Sequence, residues 1–182
     1  MTRRLALLTV LAVSVLLPPG AAPLRAATAA AAAPGATGMA RVDGKPLALA
    51  HSYLFHAPDA WEASQVNAVA LLTPKPLDEA KLRAATTLQA ALDLAPECVV
   101  VEVPPAGGKA DLRICHAGFG AGKCYSTTLH PPEWTATRAA AGHLAGSVKT
   151  FTGEEEEVFQ KFKLFYAFSF DAAPVRDFDR RR

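Results

Sequence analysis

The stretch Val158–Asp171, VFQKFKLFYAFSFD, alternates along most of its length: Phe162, Leu164, Tyr166, Phe168 and Phe170 fall on one side, and Lys161, Lys163, Ala167, Ser169 and Asp171 on the other. Successive side chains of a strand point to opposite faces, so a period of two sustained this long means one buried face and one wet face. The stretch predicts a long strand whose aromatic side lines a core.

Upstream segments carry related signals. His143–Thr150, Trp134–Arg138, Lys123–Leu129, Ala110–His116 (ADLRICH) and Cys98–Val103 (CVVVEV) are short strand-like runs, punctuated by His130-Pro131-Pro132, Gly118–Gly122 and Pro104–Gly108. Val66–Thr73 (VNAVALLT), closed by Pro74-Lys75-Pro76, has the brevity and apolarity of a buried strand. Met39–Val42 and Lys45–Phe55 flank Asp43-Gly44, the strongest short-range hairpin signal, because a type I′ turn needs positive φ at both central positions. One segment changes period: Leu77, Leu82, Ala85, Leu88 and Leu92 recur at helical spacing, with Asp78 and Glu79 in a first turn where the helix dipole favours anions. The spacing predicts a single helix over 77–94, ending before Pro96 and covering an open end or edge of the strands. The fold class expected is mainly β, an antiparallel β-sandwich or partly open barrel with that one inserted helix. An outer-membrane barrel is disfavoured, because the earlier strands are too short and too interrupted.

The N-terminus reads as an export signal. Arg3 and Arg4 precede an apolar run from Leu5 to Leu17, which Pro18, Pro19 and Gly20 then break. Its length suits the roughly 7 to 15 residues of a signal-peptide core and falls short of the about 20 needed to span a bilayer. Ala27-Thr28-Ala29 offers a small-x-small cleavage site with Ala30 as the first mature residue. The two arginines serve an ordinary secretory signal or a twin-arginine one. Residues 30–38 read as a disordered linker, 39–175 as one β-rich domain of ordinary size, and 176–182 as a basic tail. The expected location is periplasmic or secreted. Net charge is +2, but Arg3, Arg4, Arg25 and Arg180–Arg182 concentrate at the two ends, leaving a near-neutral body that does not suit a nucleic-acid partner.

The hairpin Val42-Asp43-Gly44-Lys45-Pro46 leading to Ala50-His51-Ser52-Tyr53, the stretch Leu71–Leu77, and the closing segments His143–Ser147 and Phe168–Pro174 resemble a family of exported bacterial proteins of unknown function. The resemblance implies a single secreted β-domain and carries no activity with it.

Oxidising conditions outside the cytoplasm predict that two of Cys98, Cys115 and Cys124 are bridged. Placing Pro104 opposite Lys109 sets Cys98 opposite Cys115, and closing the next hairpin around Phe119-Gly120 sets Cys115 opposite Cys124. The expectation is Cys115–Cys124, which closes the shorter glycine-rich loop, with Cys98 a free buried thiol; Cys98–Cys115 is the alternative.

No segment names a reaction. His51, His56, His116, His130 and His143 lie outside any metal-binding spacing, so no metal or cofactor is expected. No serine sits in a nucleophile elbow. Gly118–Lys123 superficially resembles a phosphate loop, but no Ser or Thr follows the lysine and it joins two strands, so it reads as a turn. Glu154–Glu157 reads as a solvated hairpin tip, and Trp61 and Trp134 as core or end-capping residues. Two function classes follow: a non-enzymatic binding or accessory domain of the cell envelope, monomeric or weakly oligomeric, whose partner is an envelope protein or small ligand; or a small exported hydrolase. The second requires His51 and His116 to converge with Asp111 or Glu102 in one pocket.

Overall fold

In chain order the molecule forms β1 (Gly35–Val42), β2 (Lys45–Ala48), β3 (His51–Pro58), β4 (Val66–Thr73), two short helices α1 (Glu79–Ala84) and α2 (Leu88–Leu92), β5 (Cys98–Val103), β6 (Ala110–Cys115), β7 (Cys124–Leu129), β8 (Trp134–Arg138), β9 (Leu144–Lys149), β10 (Glu156–Val158), β11 (Phe162–Ala172) and β12 (Pro174–Asp177). This is a computed structural model, and it describes residues 35–59, 62, 64–138 and 142–178. The export signal, the cleavage site before Ala30, the first part of the expected linker, Trp61 and Arg180–Arg182 lie outside the described residues.

The strands make two sheets packed as a sandwich, with no closed barrel among the described residues. Sheet A has the order β2-β1-β11-β9-β8, with β10 also pairing β11; sheet B has the order β12-β3-β4-β5-β6-β7. The alternation of β11 holds: Leu164, Tyr166, Phe168 and Phe170 are buried, while Lys163 and Ser169 face out. Those aromatics meet Val99, Val101, Leu112 and Ile114 of sheet B in the main core. Burying this face is the principal drive to fold, since each large apolar side chain removed from water contributes roughly 1.5–3 kcal/mol.

The Asp43-Gly44 turn forms as expected, with φ of 49° and 76°. Its tip is tied to β11, because Lys163 N donates to Asp43 Oδ1 at 2.8 Å and Asp43 N donates to Lys163 O at 2.9 Å.

Five expectations are corrected. Residues from Gly35 onward are not linker but pair along β11, Gly35 opposite Asp171 through Val42 opposite Leu164. The single helix over 77–94 is two: Asp78 caps α1, accepting from Ala80 N at 2.9 Å, and Thr87 starts α2 afresh, accepting from Ala90 N at 3.1 Å. A threonine hydroxyl at that position competes for the backbone and breaks the run, while helical spacing persists across the break because Leu82 and Leu92 still bury against the same sheet. The helices cover the outer face of sheet B, not an end or edge; this second apolar layer, with Tyr53, Phe55, Val69 and Leu71, explains why β4 is apolar on both sides. The sandwich is not wholly antiparallel: β12 lies parallel to β3, so Arg176 and Asp177, expected in the tail, belong to the fold. Finally, Glu156 and Glu157 are strand residues of β10 and not a hairpin tip; the exposed turn at 151–155 precedes them, and Glu155 pairs with Arg41 at 2.9 Å.

Candidate functional site

The outer face of sheet B changes character as it crosses the sheet. One register row runs Tyr53, Leu71, Val100, Arg113, Ser126, and the next runs Phe55, Val69, Glu102, Asp111, Thr128. The apolar members of each row lie under the helices. The polar members, on β5, β6 and β7, form the floor of an open cleft of about 1460 Å³. One wall is the α1–α2 segment, with Arg83, Thr87 and Leu88; the other is β12, with Arg176 and Asp177.

The walls are tied together. Arg83 Nη1 donates to Val175 O at 3.1 Å, Arg176 donates to the Arg83 carbonyl, and the Arg176 guanidinium sits over the Phe178 ring, 5.3 Å from its centroid. His56 Nδ1 meets Asp177 Oδ1 at 2.7 Å. On the floor, Thr128 Oγ1 donates to Asp111 Oδ1 at 2.8 Å. Asn67 Nδ2 donates to Glu102 Oε1 at 2.7 Å and to Asp59 Oδ2 at 2.8 Å. Asn67 is 3% exposed, and its Oδ1 has no hydrogen-bond partner among the described residues. Arg113 forms no ion pair among the described residues. The cleft thus presents carboxylates, hydroxyls and an unpaired guanidinium on a rigid sheet, a set able to recognise a polar ligand carrying both signs of charge.

Glu102 and Asp111 line this cleft, but His51 and His116 do not join them. His51 is half-buried opposite Thr73 at the start of β3, three strand spacings, about 14 Å, from β6. His116 is buried just beyond β6; its Nδ1 accepts from Gly118 N at 2.8 Å, and its ring packs edge-on to Phe119. It is a capping residue of the Ala117–Phe119 turn. The β3 and β6 registers place these two candidate histidines apart, so the convergence that the hydrolase reading requires is not formed. His143 contacts Asp171 at 3.0 Å and His130 is exposed. Among the described residues no group of three or more His, Cys, Asp or Glu is placed to hold a metal ion. Trp134 is core, its Nε1 donating to Gly108 O at 3.2 Å.

The cysteines follow the expected pairing. Cys115 and Cys124 lie at disulfide distance, 2.04 Å between sulfurs, and Cys98 is a free buried thiol. Burial pushes the Cys98 thiol up to about 11, an effect the Arg113 charge partly offsets.

The sequence pointed to Asp111 and Glu102 but missed Arg113, Ser126, Thr128 and Asn67. The first three become neighbours only through cross-strand register. Asn67 carried a signal, an amide side chain set between apolar residues near the start of VNAVALLT. No family model, curated protein or solved structure matches the chain.

Proposed function

We propose that the chain is a non-enzymatic binding or accessory domain of the bacterial cell envelope, periplasmic or secreted, and that the cleft on the outer face of sheet B is its ligand surface. The observation that carries this reading is the polar half-face of β5, β6 and β7, left uncovered while the rest of the same face is sealed by helices. A sheet presents its groups with little conformational freedom, so little order is lost on binding. The Cys115–Cys124 pair suits an oxidising compartment, and the charged and apolar regions of the N-terminus suit export. The likeness to exported β-domain proteins belongs to the same reading.

The test is a photo-cross-linking residue placed in the host at Ser126, on the cleft floor, and separately at Lys163, on the outer face of sheet A. A discrete adduct from Ser126, lost when Arg113→Glu is added and absent from Lys163, supports the reading. Equal adducts from both positions, or none from either, count against it.

A further inference from the structure

Cys98, Cys115 and Cys124 occupy one row across three neighbouring strands: Cys98 is the register partner of Cys115, and Cys115 of Cys124. Register partners project to the same side, so all three stand on the outer face of sheet B. The Cα atoms of Cys115 and Cys124 are 4.1 Å apart, the close spacing of a non-hydrogen-bonded pair. The N–H and C=O of one residue point to the same neighbouring strand, so those of Cys115 point to β5. Cys98 and Cys115 then form a hydrogen-bonded pair, with Cα atoms about 5.5 Å apart. That lies within the span a disulfide bridges. The middle cysteine can bond to either neighbour without a change of register.

The two outer positions differ in access. Cys98 is 2% exposed, packed in the apolar layer with Leu92 and Ala95. Cys124 is exposed on β7, the edge strand. The row also sets Cys98 on the side of Cys115 opposite Cys124, the direction from which a thiolate attacks a disulfide in line.

We propose that this row is a thiol–disulfide exchange site that delivers a thiol from the core to the sheet edge. The Cys98 thiolate attacks Cys115 Sγ; the Cys98–Cys115 bond forms as the Cys115–Cys124 bond breaks, and the electron pair leaves on the Cys124 sulfur, which takes a proton from water. One thiol and one disulfide are present before and after, so the step needs no outside oxidant or reductant. Cys124 is then a site for mixed-disulfide formation: its thiolate attacks a small-molecule disulfide, bonding one sulfur and releasing the other as a thiol. Burial keeps Cys98 protonated at neutral pH, which makes the step slow, while Arg113 in the adjoining row favours the thiolate.

The full chain, oxidised and folded, is incubated with excess N-ethylmaleimide at pH 8.5, quenched with acid and mapped without reduction. Label should accumulate on Cys124, together with a Cys98–Cys115 bridge, faster than the slowest β5 amides exchange. Those amides report global unfolding. Cys98→Ala should lower labelling of Cys124 at least tenfold. Label on Cys98 with the original bridge intact, no label, labelling of Cys124 unchanged by Cys98→Ala, or labelling no faster than global unfolding overturns the proposal. Should Cys98→Ala fail to fold, Cys124→Ser replaces it. That chain should oxidise to Cys98–Cys115 with its circular dichroism unchanged, and two free thiols after oxidation would overturn the proposal.

Discussion

Glu102 and Asp111 stand directly opposite each other across the β5–β6 ladder, two carboxylates side by side on the floor of the open cleft. Each has one neutral donor, Asn67 for the first and Thr128 for the second, and neither forms an ion pair among the described residues. Like charges in opposed positions destabilise an antiparallel pair. Asp111→Lys should therefore raise stability by roughly 0.2–1 kcal/mol, seen as a higher urea midpoint at unchanged slope. The same change should abolish the Ser126 cross-link. A lower midpoint would mean that the hydrogen bond from Thr128 outweighs the repulsion.

The two faces of β11 should respond differently to truncation. Leu164 and Phe168 are 1% and 5% exposed in the main core, so either one changed to Ala leaves a cavity and should cost about 2–5 kcal/mol. Lys163→Ala, on the wet face, should cost less than about 0.5 kcal/mol. Urea denaturation measures both, and equal losses would refute the one-sided burial.

Gly38 decides whether the N-terminal segment is part of the fold. Its φ is +108°, and a Cβ there would stand 2.3 Å from the Ala167 carbonyl oxygen. Gly44 has φ +76° but open space around its Cβ position. Gly38→Ala should thus cost more than Gly44→Ala, for which the backbone term alone is about 1–2 kcal/mol. A silent Gly38→Ala in thermal melts would restore the linker.

What the sequence revealed, and what it concealed, follows from where the information sits. Val66–Thr73, Cys98–Val103 and Trp134–Arg138 were bounded by local punctuation, and their strands begin and end on those residues. The aromatic side of β11 was legible because period two is a local property. Pairing is not local: nothing in Gly35–Gly38 shows that β11 lies beside it, and nothing in Pro174–Asp177 shows that it lies parallel to β3. The cleft was hidden for the same reason. Arg113 and Ser126 are 13 positions apart and look unrelated until the β6–β7 register sets them side by side.

Export carries its own test. Arg3, Arg4 and the apolar run to Leu17 match a signal peptide, so the mature chain should begin near Ala30 and be recovered outside the cytoplasm. N-terminal sequencing of the periplasmic and secreted fractions checks this. An intact Met1 on a cytoplasmic species would sink it.

Cys98 should make stability fall at high pH. Its thiol is pushed up to about 11 by burial, whereas in the unfolded chain it loses its proton near the ordinary value of about 8.5. Between these values the folded protein still holds a proton that the unfolded chain has released. The stabilisation is therefore complete below about pH 8.5 and is lost as pH rises toward 11. The loss should be on the order of 3 kcal/mol. It is best measured in a Cys115→Ser/Cys124→Ser background, where Cys98 has no disulfide to attack. In that background, the difference in unfolding free energy between chains with Cys98 and with Cys98→Ala should shrink steadily from pH 8.5 to 11. A difference that stays constant would mean that the thiolate is as well accommodated beneath α2 as it is in water.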